Sequence, residues 1–574
     1  MTRRFLSLLA AFLLVACSPA ESPPPAVEAD APPPARAAAV AMPDSYAAEV
    51  AEDVLRAGGN AVDAAIAVGF SLAVTYPEAG NIGGGGFMLI RMGDEASFLD
   101  YREVAPLAAH PDMYLDAEGK VIPGASLVGH LAVGVPGTVA GMWAAHQRYG
   151  TLPWKDLVTP AVALARDGFE VPAALGQGMK SLDFIGGAAQ TNFDEYFAGM
   201  QTGEIFRQPE LAATLARIAE RGPEDFYRGE TADLIVAEME RGGGLITHED
   251  LAAYKAVWRE PLKASWRGYE LLAAPPPSSG GFAVVQLLKM KDYLAHLFEE
   301  LPHNSPGYIH LVAEMEKRVF ADRAEYLGDP DYVDTRINEL LDDEYIARRA
   351  REVNPHAIST LEESPPGLES PDTTHYSIVD ADGNAVANTY TLNLSFGSRV
   401  VVEGAGFLLN DEMDDFSAKP GVANTYGVVG FKANEIQPGK RMLSSMSPTL
   451  LVKDGEVQMV VGTPGGTTIF TSVFQAIVNV VDFGMTPAQA VGATRFHHQL
   501  MPPTVVTYSP GRPLPDETIS ALGDRGWQAI PHPWEFGDLQ VSERTDTGLD
   551  PASDPRGRGD SRVIELPAGE EATP

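Results

Sequence analysis

The apolar positions of this chain change period several times, and each change marks an element. Residues 47–74, "AAEVAEDVLRAGGNAVDAAIAVGFSLAV", read as two helices. Val50, Val54 and Leu55 share one face of the first, and Gly58 suits its C-terminal cap. Asn60 predicts the N-cap of the second, with Asp63 three residues on in a capping box. The Gly-rich "GNIGGGGFMLI" at 80–90 leads into a strand, and further helical periodicity fills much of 140–350.

After Thr373 the period becomes two. The segment "TTHYSIVDADGNAVANTYTLN" (373–393) holds two alternating runs about an Asp-Gly pair, which predicts a β-hairpin. A three-residue loop at Ala381, Asp382 and Gly383, with Gly383 left-handed, pairs Ile378 with Val386 and sets Thr373 opposite Thr391. A slip of one residue would send the two hydroxyls to opposite faces. Thr–Thr cross-strand pairs also occur in ordinary sheets. The hairpin follows a polar, Pro-interrupted stretch, "STLEESPPGLESPD" (359–372), suited to an exposed loop.

A second Asp-Gly pair, Asp454-Gly455, predicts another hairpin. It leads to "VVGTPGGTTIFTSVFQAIVNVV" (460–481), which ends as an apolar helix. Gly465 and Gly466 therefore fall between a strand and a helix N-terminus, where unobstructed backbone N–H groups suit an oxyanion. An ordinary buried turn is the other reading, and the Lys-Ser/Thr ending of a phosphate loop is absent.

Composition narrows the function classes. With 574 residues, 45% hydrophobic and 21% charged, the chain can bury a large core. Its formal charge of −36 repels nucleic acid and anionic lipid, so a small anionic ligand would need local cations. Residues 1–16 place Arg3 and Arg4 before an apolar run, the pattern of a secretory signal. The one cysteine, Cys17, closes "LVAC", which resembles the lipobox of bacterial lipoproteins. Residues 18–44 then read as a Pro- and Ala-rich tether, with ordered structure expected from 45. The expectation is a lipid-anchored periplasmic or outer-membrane protein of a Gram-negative cell.

Several segments together resemble the γ-glutamyltransferase family of N-terminal nucleophile hydrolases. They include "GGNAVDAAIAVGFSLAVTYPEAGNIGGGGFMLIR", "LDYREVAP", "GGLITHEDLAAYKAV", "ADRAEYLGDPDYV", "TTHYSIVDADGNAVANTYTLN", "NDEMDDFSAKPG", "LSSMSPT" and "GTPGG", in the family's order. The resemblance implies an α+β fold, a four-layer αββα sandwich, made as one chain that cuts itself between Asp372 and Thr373. The large fragment, 45–372 beyond the tether, and the small one, 373–574, would form one intertwined heterodimer.

The family's roles then fall on matching positions. Thr373 would be the nucleophile, its freed α-amine the base, and Thr391 the second threonine that bonds it. Gly465 and Gly466 would be the oxyanion pair. Arg102, Ser444 and Ser445 would hold the substrate α-carboxylate, for which a forked guanidinium is well shaped. Asn393, Glu412 and Asp415 would cradle the α-ammonium, and Tyr426 would cover the site as a lid. Some bacterial members carry glutamine where this chain has Glu412. Substrates would be glutathione and other γ-glutamyl compounds, with water, amino acids or dipeptides as acceptors and no metal or organic cofactor. Two rivals stand beside this: an acylase of the glutaryl or cephalosporin type, and an inactive lipoprotein that only binds ligands. His497 and His498, with no metal spacing around them, read as packing residues.

Overall fold

The computed structural model describes residues 36–181, 191–359, 373–419, 421–422, 424, 430–535 and 537–567. Cys17, Asp372 and Tyr426 lie outside the described residues. Thirteen strands build two central sheets: β1 (Arg36–Met42), β2 (Gly85–Met92), β3 (Glu95–Asp100), β4 (Val257–Arg259), β5 (Leu262–Trp266), β6 (Tyr269–Ala273), β7 (Thr374–Val379), β8 (Ala385–Thr391), β9 (Thr449–Lys453), β10 (Glu456–Gly462), β11 (Gln540–Thr545), β12 (Gly548–Ser553) and β13 (Asp560–Leu566). The first sheet runs β13-β1-β7-β8-β2-β3-β4 and the second β12-β11-β10-β9-β6-β5. Neighbours are antiparallel throughout both.

Four layers follow from where the apolar faces go. Phe87, Leu89, Phe98, Leu272, Leu450 and Val460 meet between the two sheets. Helices such as Ala61–Thr75, buried along its whole length, cover the outer face of the first sheet. Helices Gly280–Tyr293, Pro306–Tyr326 and Thr468–Val481 cover the second. Strand β7 shows how one sequence serves two layers, since alternate side chains leave a strand on opposite faces. Tyr376 and Ile378 enter the helical core, whereas Val379 enters the core between the sheets. Ser377 also faces the second sheet, donating its hydroxyl to the Gln540 carbonyl at 3.0 Å.

The predicted local elements are present. Asn60 caps Ala61–Thr75 in a capping box with Asp63. Asp454 and Gly455 make the second hairpin turn with φ of +54° and +82°. The tether, however, is shorter than expected. Residues 36–42 form β1, with Ala38 to Met42 buried, pairing with β13 on one side and β7 on the other. "RAAAVAM" carries no alternation of large apolar and polar residues, because both faces of this strand are covered. Its composition therefore passes for linker.

Candidate active site

The first hairpin forms in the expected register. Gly383 has φ +82° and donates to the Asp380 carbonyl at 3.0 Å. Val386 stands opposite Ile378 and Tyr390 opposite Thr374. One further step sets Thr373, the first described residue after residue 359, across from Thr391. Both are buried, and both line one cavity with Arg102, Arg323, Asn393, Glu412, Asp415, Ser444, Ser445 and Gly466. Among the bonds of Thr391, Asn81 Nδ2 donates to its carbonyl at 2.8 Å, and its Oγ1 accepts from the Asn393 N–H at 2.9 Å.

The opposite wall begins where β10 ends. Thr463, Pro464, Gly465 and Gly466 carry the chain from Gly462 toward the helix Thr468–Val481. The turn needs glycine at Gly465: φ is +133°, and an added Cβ would stand 2.5 Å from Thr468 Oγ1. Thr468 seals it by donating N–H and Oγ1–H to the Gly465 carbonyl, at 3.0 and 2.7 Å. Among the described residues no acceptor engages the N–H of Gly465 or Gly466. Two amides at the positive end of a helix are thus left to meet an oxyanion.

The charged end of the cavity gathers around Arg102, which follows β3 and is fully buried. Its guanidinium donates to Glu412 and Asp415 of the short turn Glu412–Asp415 and to the carbonyls of Met442 and Leu443, each at 3.4 Å. Burial opposes the arginine's charge, but Glu412, Asp415 and Glu103 outweigh it and hold its pKa above the usual value. Burial likewise pushes Glu412 well above the carboxylate range and raises Asp415, with Arg102 pulling both back. A second cation adjoins them. Arg323 donates to Ser445 Oγ at 3.2 Å and to Ser279 Oγ at 2.9 Å, and Ser279 Oγ donates to the Ser444 carbonyl at 2.8 Å. Two guanidiniums, two serines and two carboxylates lining one cavity suit a head group carrying both charges on one carbon.

The structure therefore brings Thr373, Thr391, Gly466, Arg102, Asn393, Glu412, Asp415, Ser444 and Ser445 to one cavity, with Gly465 directly behind Gly466. Sequence reasoning assigned no role to Arg323, Ser279, Glu103 or Asn424. Arg323 lies in "ADRAEYLGDPDYV" on the helix Pro306–Tyr326, where charged residues such as Glu314, Glu316 and Lys317 are also buried. That density of charge on a buried helix is the signal available for it. His497 and His498 pack as expected, bonded to Thr471, Gln499 and the Val505 carbonyl, and burial lowers them to about 3 and about 4.

A threonine heading an inner strand of a four-layer αββα sandwich, in one cavity with a glycine at a helix N-terminus, is the arrangement of an N-terminal nucleophile hydrolase. The chain belongs to the Gamma-glutamyltranspeptidase family, whose model matches residues 47–564. It is 56% identical over 527 residues to a glutathione hydrolase proenzyme of Pseudomonas aeruginosa, covering 92% of this chain and 94% of the relative. A gamma-glutamyltranspeptidase structure from Pseudomonas nitroreducens is 55% identical at TM-score 0.55, covering 55% of this chain and 95% of its own. A cephalosporin acylase from Bacillus halodurans is 28% identical at TM-score 0.80, covering 96% of this chain and 99% of its own.

Proposed function

We propose that this protein is a self-processing glutathione hydrolase and γ-glutamyltransferase with Thr373 as nucleophile. The observation that carries the reading is the single cavity in which Thr373 and Thr391 share walls with Arg102, Glu412, Asp415, Ser444 and Ser445. Processing starts when Thr373 Oγ attacks the Asp372 carbonyl, the C–N bond breaks to an ester, and water cleaves the ester. Thr373 then carries a free α-amine, which serves as the base for its own hydroxyl.

In turnover the amine takes the hydroxyl proton while Oγ adds to the γ-glutamyl amide. Gly465 and Gly466 N–H groups hold the oxyanion. The amine returns the proton to the leaving nitrogen, and a γ-glutamyl ester remains. Water, an amino acid or a dipeptide then attacks that ester, giving glutamate or a new γ-glutamyl amide. Arg102 and the serines take the α-carboxylate, and Glu412, Asp415 and Asn393 the α-ammonium. The acylase reading keeps the nucleophile but leaves a paired charge cluster with nothing to bind, so the γ-glutamyl reading is preferred. The two fragments stay together as a heterodimer, and Cys17 carries the lipid of an exported, membrane-anchored protein.

Intact mass, N-terminal sequencing and membrane fractionation test this together. The expected result is a small fragment beginning Thr-Thr-His-Tyr, hydrolysis of glutathione, an inactive single chain for Thr373→Ala, and release from membranes for Cys17→Ser. A stable, uncleaved and inactive native chain would overturn the catalytic reading.

A further inference from the structure

The two charged walls of the cavity come from separate segments, the turn Glu412–Asp415 and residues 443–445. One side chain outside the cavity joins them. Asn434, which ends the short turn Lys432–Asn434, is buried. Its Nδ2 donates to the Asp415 carbonyl at 2.7 Å, and its Oδ1 accepts from the Leu443 N–H at 3.0 Å. Both partners are main-chain groups of fixed polarity. Reversing the amide would set oxygen against oxygen and N–H against N–H, so one orientation alone satisfies the pair.

Arg102 closes the same ring on the cavity side, since its Nη2 reaches both the Asp415 carboxylate and the Leu443 carbonyl. Asn434 is itself held. Its N–H donates to the Phe431 carbonyl at 3.2 Å and its carbonyl accepts from Ser417 N–H at 2.9 Å. The buried Lys440 ammonium donates to the carbonyls on either side of it, Ala433 at 2.8 Å and Glu435 at 3.0 Å. With its backbone fixed from these directions, the Asn434 side chain is a short, stiff spacer between the two segments it bridges.

We propose that Asn434 is a positioning residue that sets the distance between the ammonium-binding and carboxylate-binding walls, and so sets selectivity for substrates bearing both charges on one carbon. The inference rests on the γ-glutamyl reading above. A donor with both charges must meet both walls at once, whereas a donor with one charge uses one wall and tolerates a change in their spacing.

The test compares three p-nitroanilides: γ-glutamyl, glutaryl (no α-ammonium) and 4-aminobutanoyl (no α-carboxylate). They are assayed on fully processed native protein, Asn434→Ala and Asn434→Asp. Loss of the bridging bonds is expected to lower kcat/KM for the γ-glutamyl donor about 10- to 100-fold. For each one-charge donor the change should stay within about threefold, since only one wall is used. Asn434→Asp keeps the acceptor for Leu443 but loses the donor to Asp415, so its selectivity should fall between the other two. If Asn434→Ala does not process, Asn434→Asp carries the test by the same criterion. Unchanged selectivity, or an equal loss on all three donors, overturns the proposal. Native protein that does not prefer the γ-glutamyl donor overturns the underlying functional reading instead.

Discussion

Replacing Arg102 with glutamine separates what this residue does for the substrate from what it does for the fold. Two charge-assisted hydrogen bonds to a carboxylate, at about 1.5–3 kcal/mol each, amount to about 3–6 kcal/mol. The expected loss in kcat/KM for a γ-glutamyl anilide is therefore about 10²- to 10⁴-fold. The fold pays separately, because Arg102 is fully buried against Glu412 and Asp415 with Glu103 at 3.6 Å. Removing one partner of a buried pair costs about 3–5 kcal/mol.

The cost depends on pH in a definite direction. Without the guanidinium, carboxyl groups already raised by burial rise further, so the folded state binds protons more tightly than the unfolded one. Stability contributed by the protonated forms is present at low pH and is lost as pH rises through their folded values. Arg102→Gln should thus lose more stability at pH 8 than at pH 5. Adding Glu412→Gln should return part of that stability and none of the activity. Urea unfolding at both pH values and steady-state kinetics read the two effects. A single variant within threefold of native kcat/KM would refute the head-group assignment, and a double variant no more stable than the single would refute the electrostatic account.

Two further outcomes follow from the same geometry. Gly465→Ala forces a side chain onto a backbone at φ +133° and against Thr468, and should lower kcat about 10²- to 10³-fold with KM nearly unchanged; kinetics within threefold of native would mean these amides do not hold the oxyanion. Glu103, held up to about 7 by burial against the pull of Arg102, favours the folded state while neutral, an advantage lost as pH rises from its ordinary range toward 7. Glu103→Gln should therefore gain stability relative to native protein between pH 5 and pH 8 in urea unfolding, and an equal difference at both would show that the carboxyl stays ionised.

What could be read before the structure was local. The capping box at Asn60 and Asp63 and the left-handed loop at Gly383 depend on residues within a few positions of one another, and both formed as expected. The opposed threonines follow from that loop alone. The charged end of the cavity was different. Arg102 and Glu412 meet across 310 residues, and nothing near either one marks it, so their roles came through the family resemblance. Arg323 and Asn434 stayed hidden because they act on backbone or serine oxygens, which leave no pattern in the chain. β1 stayed hidden because alanines buried on both faces look like linker.

The interleaving of the first sheet has a consequence for how such an enzyme can be built. Arg36 and Leu566 face each other across β1 and β13, so the start of β1 and the end of β13 lie side by side. A short turn there would join them as a hairpin, and the chain could then open at Thr373 instead. Such a circular permutant, once its initiating methionine is removed, would emerge with its nucleophilic terminus already exposed. Maturation would become a matter of strand order, with no peptide bond left to cut.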